Sequence, residues 1–291
     1  MKIMFALQQH AQTRTLQEGL LPPAKLNFIL SQRNQSVPTT CRMPSVGFVG
    51  IGKAGSLFMQ SALELFAHEE LLPTTQFNVT SRSVGAIMGW HHASASLWMQ
   101  AFGYATWTRA FTFALVRDPW SRLVSMWAFH LVSKHPLDGG YLTQTQRTAA
   151  KRNETLSIYL FRKWIVRTHS VYPPGSREEW RLFGAGHGNE QARSFNASQI
   201  SWLVNEQGQL IVDAVFKLEQ LQTSWPQLQA RICGLQHVTY RSALENPIIR
   251  ALDHPSTHRP YAEYYDGQTR SLVSDYTAPD IHRFSYTQPD I

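Results

Sequence analysis

Lys53 stands in a turn of small residues, Gly50-Ile-Gly52-Lys53-Ala54-Gly55-Ser56. Glycines let a backbone bend sharply and leave N–H groups facing outward. A helix that starts at Ser56 aims its positive end at the same point. Such a turn suits an anion, and three patterns fit it. Gly50, Gly52 and Gly55 spell the GxGxxG of dinucleotide binding, which would make the chain an NADP-dependent oxidoreductase. Gly47 to Lys53 spells the GxxxxGK of a Walker A loop, but Ala54 stands where a hydroxyl should hold Mg²⁺. The third pattern is Lys-x-Gly-Ser itself, a cation and a hydroxyl on a strand–turn–helix. Two plainer readings compete: a helix cap at Ser56 and a Gly-rich turn kept for close packing.

A second cluster lies in FALVRDPWSRLVSMW, residues 113–127. Arg117 ends an apolar run, so its guanidinium emerges at the carboxyl edge of a sheet, where open α/β folds bind ligands. Ser121, Arg122 and Ser125 follow at helical spacing. An arginine fork beside a hydroxyl grips a phosphate monoester well. The competing reading is an internal salt bridge from Arg117 to Asp118 or Glu219.

The elements that must carry these groups are legible. PSVGFVGI (44–51) reads as a buried strand and Ser56 to about Glu70 as a helix with a broad apolar face. QFNVTSR (76–82) reads as a short strand and 93–103 as a short helix stopped at Gly103. FTFALVR (111–117) has the continuous apolar run of a central parallel strand. Asp118-Pro119 opens a helix, Asp as N-cap and Pro at its first position. Residues 135–197 read as an insertion or lid, with one helix at 155–167. Residues 200–221 read as strand, turn and strand, followed by helices at 221–233 and 262–275. The alternation implies an α/β fold, a three-layer α/β/α arrangement with a central parallel sheet and a P-loop-like strand–loop–helix site. Residues 1–43 read as a loosely structured arm ahead of one domain, 44–291.

Composition is that of a globular protein: 43% hydrophobic, 16% charged, over 291 residues. The net charge of +7 favours anionic partners, but lysines and arginines are scattered, which argues against nucleic acid. The cysteines, Cys41 and Cys233, make neither a disulfide framework nor a zinc pattern. No apolar run approaches the roughly 20 residues that span a bilayer, so the chain reads as soluble. Sequons at Asn34, Asn78, Asn153 and Asn196 point to a Golgi-type lumen, and a cytoplasmic setting stays open.

Residues 116–125, Val-Arg-Asp-Pro-Trp-Ser-Arg-Leu-Val-Ser, resemble the 3′-phosphate motif of the sulfotransferase family, in the branch holding the carbohydrate sulfotransferases. Lys-x-Gly-Ser at the helix start is similar to that family's 5′-phosphosulfate loop. His92-Ala93-Ser94-Ala95, IVDAVFKLEQL (211–221) and the closing stretch 258–286 also resemble family segments, in the right order. The resemblance implies transfer of a sulfuryl group from 3′-phosphoadenosine 5′-phosphosulfate (PAPS) to an acceptor hydroxyl, with a glycan as the leading acceptor and no metal. It implies Gly52, Lys53, Ala54, Gly55 and Ser56 at the 5′-phosphosulfate, Arg117 and Ser125 at the 3′-phosphate, and Arg259 closing over the nucleotide. Lys53 would neutralise the leaving group. His92 would take the acceptor's proton, with Glu219 as the alternative base. Asp266, Asp275 and Asp280 read as helix-surface or capping residues. Leu57 follows Ser56 where the family usually carries a second hydroxyl. That departure motivates the alternative of a protein that binds PAP (3′,5′-adenosine bisphosphate) or glycan without turnover.

Overall fold

In the computed structural model, residues 46–56, 58–59, 62–63, 94–132, 142–171, 198–232, 239–245 and 258–288 are described. The arm at 1–43, the strand expected at 76–82, His91, His92 and both cysteines lie outside them.

Three described strands form one parallel sheet in the order β1-β2-β3: β1 Val46–Val49, β2 Phe111–Val116 and β3 Ala214–Lys217. All six residues of β2 are buried, as its apolar run requires of a central strand. Val49 sits opposite Ala114, and Val116 opposite Lys217, so the strands end near one another at the carboxyl edge. Side chains alternate across the sheet. Phe111, Phe113 and Leu115 join a cluster with Met59, Leu221, Trp225 and Leu228. Ala114 and Val116 join another with Trp98, Trp107, Trp202 and Leu203. Apolar side chains therefore cover both faces. At the opposite edge, Asp213 locks β3 to β2: its carboxylate accepts from Thr112 N at 2.8 Å and Thr112 Oγ1 at 2.7 Å.

Helical conformation begins at Ser56, directly after the glycine turn, and Met59 N donates to the Gly55 carbonyl. Helix α1 (Ala95–Phe102) is capped by Ser94 and ends at Gly103, as expected, and a second short helix, α2 (Tyr104–Arg109), brings the chain to β2. Trp107 of α2 is nearly fully buried and donates its indole N–H to the Ile211 carbonyl at 2.7 Å. Helix α3 (Pro119–Val132) leaves β2 as expected, with Asp118 Oδ1 accepting from Ser121 N at 2.7 Å.

The region read as an insertion holds more structure than one helix. Its described part contributes α4 (Gln144–Arg152), entered through a Thr143–Gln146 capping box, and α5 (Glu154–Val171). Phe161, Trp164 and Ile165 of α5 join Trp127 and Leu131 of α3 in the largest core cluster. The helix expected at 155–167 lies within α5. The helix before it, QTQRTAAKR, is mostly polar and offers only alanines to an apolar stripe.

Two expectations about the second half are corrected. Residues 199–202 are a 3-10 turn and not a strand. The apolar alternation of Ile200, Trp202 and Val204 suggested a strand, but a buried carboxylate takes the N–H groups of Gln199 and Ile200 and curls the chain there. Only an isolated bridge, Val204 to Leu210, brackets the expected turn. The helix expected at 262–275 begins later and runs further, as α8 (Gly267–Phe284), because Asp266 and Thr269 form a capping box and a separate 3-10 turn occupies Tyr261–Tyr264. Helix α6 (Leu221–Arg231) lies where it was expected, and α7 (Tyr240–Glu245) follows.

Candidate active site

The carboxyl edge of the sheet gathers the turn after β1, the start of α3, the end of β3 and the last turns of α8. Residues 51–54 form a β-turn closed by Ala54 N donating to the Ile51 carbonyl at 3.2 Å. Lys53 sits in it with φ of 63°, a left-handed conformation that costs a side-chain-bearing residue roughly 1–2 kcal/mol. Glycine would be the unstrained choice at this position. That amine lies 4.5 Å from the centroid of the Phe129 ring on α3. Gly55 follows with φ of 80°, a conformation that strains any side-chain-bearing residue, and a Cβ there would also push Leu218 Cδ1, 2.7 Å away, aside. Ala54 and Ser56 are buried beside it.

Two arginines hold this turn by its carbonyls. Arg122, 2% exposed, donates from Nε to the Gly52 carbonyl at 2.9 Å. Arg117 donates from Nη1 to the Lys53 carbonyl at 3.4 Å, and from Nε and Nη2 to Ser121 Oγ at 3.1 and 2.8 Å. In a trans peptide the N–H opposes the preceding C=O, so pinning the Gly52 carbonyl turns the Lys53 N–H away from Arg122. The hydroxyl that meets Arg117 is that of Ser121. Ser125 is 4% exposed, one helical turn further along α3.

Arg117 does not spend its guanidinium on Asp118 or Glu219. Those carboxylates bind backbone and hydroxyl groups instead: Asp118 caps α3, while Glu219 accepts from Asp118 N at 2.7 Å and from the Tyr286 hydroxyl at 3.3 Å. Burial lowers the pKa of Arg117, opposed by the nearby Glu219 and Asp118. Burial likewise lowers Arg122 to about 10, opposed by Asp280. The Tyr286 hydroxyl is pushed far up by burial and by Glu219.

Burial, reinforced by Glu219, raises Asp118 to about 6. A carboxyl whose folded pKa exceeds its unfolded value favours folding while protonated, and that contribution is lost as pH rises from about 4 through about 6. Asp118→Asn retains a good cap and removes the buried charge. Thermal melts should therefore show the variant more stable than wild type at pH 7.5, by ~3 kcal/mol at most, with the gap closing towards pH 4. A gap that stays constant with pH would show that Asp118 is not the group responsible.

Asp280 corrects the sequence reading. It is no surface or capping residue of α8 but is fully buried, accepting from Ser198 Oγ, Gln199 N and Ile200 N at 2.6, 2.7 and 2.8 Å. The signal was present: Thr269, Val273, Thr277 and Asp280 recur at helical spacing and form the buried stripe of α8. Asp266 is the N-cap of that helix and Asp275 is exposed, as read. Arg259 lies about half exposed, paired with Glu154 at 2.8 Å and Glu263 at 3.2 Å. Among the described residues, no group of three or more His, Cys, Asp or Glu could hold a metal ion, and no helix is long and apolar enough to cross a membrane.

The carboxyl edge of the parallel sheet thus carries a lysine turn whose carbonyls are held by arginines from the following strand and helix. The model of the sulfotransferase family matches residues 40–287, and the chain belongs to that family. No curated relative and no solved structure matches it. The match runs through the glycine turn, α3 and α8 together, which neither the dinucleotide-binding nor the Walker reading of residues 47–56 explains.

Proposed function

We propose that this sulfotransferase moves a sulfuryl group from PAPS to an acceptor hydroxyl, releasing PAP. The observation that carries the reading is the placement of Arg117 between the lysine turn and Ser121. One guanidinium thereby faces both the strand–turn–helix suited to a 5′-phosphosulfate and the start of a helix suited to a second phosphate. The acceptor oxygen attacks sulfur, the S–O bond to the 5′-phosphate breaks in line with it, and the electron pair leaves on that phosphate. Lys53 and the N–H groups at the start of the helix at Ser56 neutralise the charge that develops there. His92 takes the acceptor's proton. Ser121 and Ser125 join Arg117 at the 3′-phosphate. Arg259 closes over the 3′-phosphate or adenine, for which it would have to release its partners Glu154 and Glu263. A P-loop-like site in a three-layer α/β/α fold is supported by the order of strand, glycine turn and helix start over residues 46–56. A net charge of +7 suits an anionic glycan as acceptor.

Arg117→Ala tests the nucleotide half of this reading. Removing a charge-assisted contact to phosphate costs about 1.5–3 kcal/mol. Titration calorimetry should show PAP binding weakened by that amount, while binding of adenosine 5′-phosphosulfate, which lacks the 3′-phosphate, changes little. Equal losses for both nucleotides would place the 3′-phosphate elsewhere. Wild-type protein that is stabilised by NADP and not by PAP would remove PAPS from the reading altogether.

A further inference from the structure

Gln199 is completely buried, and its side chain holds the backbone of Arg117 at both ends. Its Oε1 accepts from Arg117 N at 2.8 Å, and its Nε2 donates to the Arg117 carbonyl at 2.7 Å. β1 pairs with β2 only as far as Ala114, and β3 as far as Val116. The primary amide therefore stands in for the peptide of a neighbouring strand at the residue just past the ladder. Among side chains of this length only glutamine offers one acceptor and one donor on a common plane; glutamate or methionine supplies one or neither.

Gln199 is in turn fixed by Asp280. The carboxylate receives Gln199 N and Gln199 Nε2 on Oδ2, at 2.7 and 3.4 Å, and Ser198 Oγ and Ile200 N on Oδ1. Every one of these partners is a donor, which an asparagine could not satisfy on both sides. The same carboxylate opposes the burial that lowers Arg122, the residue that holds the Gly52 carbonyl. One buried anion on α8 thus braces Arg117 through Gln199 and acts electrostatically on the arginine behind the lysine turn.

We propose that Gln199, anchored by Asp280, is a positioning residue that aims Arg117 at the nucleotide's 3′-phosphate and so sets selectivity for 3′-phosphorylated donors. The proposal rests on the assignment of Arg117 to that phosphate. Gln199 does not touch the reacting atoms. Its removal should raise the KM for PAPS and leave kcat nearly unchanged, because a guanidinium loosened at the end of its strand loses a binding contact and not a chemical step.

The experiment compares PAP with adenosine 5′-monophosphate by calorimetry, on wild type and on Gln199→Met, which keeps the length of the side chain and removes both hydrogen bonds. Wild type should prefer PAP. In Gln199→Met the Kd for PAP should rise by about tenfold or more, the cost of a misplaced group, with that for the monophosphate unchanged. Equal weakening of both nucleotides would mean a general structural role, and an unchanged PAP affinity no role at all; either overturns the proposal while leaving the assignment of Arg117 intact. A wild type with no preference for PAP would instead remove that assignment, and the proposal with it. Should Gln199→Met fail to fold, Ser198→Ala loosens the same anchor by a single hydrogen bond. It should show a smaller loss confined to PAP, and a loss shared by both nucleotides would count against the proposal.

Discussion

Turnover of PAPS should fall by about 10²–10³-fold when Lys53 becomes Gly, a drop typical of deleting one charge-stabilising donor, while the fold is retained or strengthened. The two effects separate because Lys53 occupies a left-handed backbone position. Glycine adopts that conformation without steric cost, so Lys53→Gly relieves strain as it deletes the amine. Lys53→Ala deletes the amine and keeps the strain, so it should melt below Lys53→Gly and be equally inactive. The Lys53 amine lies 4.5 Å from the centroid of the Phe129 ring, a contact worth ~0.5–1 kcal/mol at exposed sites that both variants lose alike. Activity assays and melts on both variants decide the matter. A folded Lys53→Gly protein with wild-type turnover would falsify the assignment.

His92→Ala should lower kcat by about 10²–10⁴, the usual worth of a positioned base, with PAP affinity nearly unchanged. An imidazole near its ordinary pKa accepts a hydroxyl proton at neutral pH, and His92 precedes Ser94, the cap of α1, within the His-Ala-Ser-Ala segment. The wild-type rate should rise with pH through an imidazole-like ionisation, because only the neutral ring can accept, and this limb should vanish in the variant. His91→Ala is the control. If His91→Ala is the inactive variant, the base is the neighbouring ring. If both variants keep wild-type kcat, the base is neither histidine and Glu219 is the next to test. Glu219 accepts from Asp118 N on one oxygen and from the Tyr286 hydroxyl on the other, which leaves lone pairs free to take a proton.

The elements of the carboxyl edge were legible in the sequence because they are local. A glycine turn, an apolar six-residue strand and an Asp-Pro helix start each follow from the chemistry of adjacent residues, and each lies where it was expected. What escaped was the support behind them. Gln199 precedes a stretch that alternates like a strand, and nothing nearby in sequence reveals that its amide closes on Arg117. Asp280 sits after Pro279 near the end of a helix and looks like one more exposed acid until its register with Val273 and Thr277 is drawn. Arg122 lay inside the motif, yet its spacing could not tell a ligand contact from a hold on the Gly52 carbonyl. Buried polar groups of this kind are chosen by partners distant along the chain, and periodicity is blind to those.

That distance bears on how the protein comes together in time. The bonds that build the site close loops of 70, 82 and 81 residues, from Arg122 to Gly52, Arg117 to Gln199 and Gln199 to Asp280. Each closure costs chain entropy before its hydrogen bond is gained, and contacts so remote in sequence form slowly. The core is no more local: Thr112 and Asp213, which join β2 to β3, lie 101 residues apart, and Val273 of α8 shares a cluster with Trp127 of α3. Core and carboxyl edge therefore wait on the same late segment of the chain. A nascent chain still lacking α8 would lack both part of its core and the brace behind Arg117, and the two should return together on refolding.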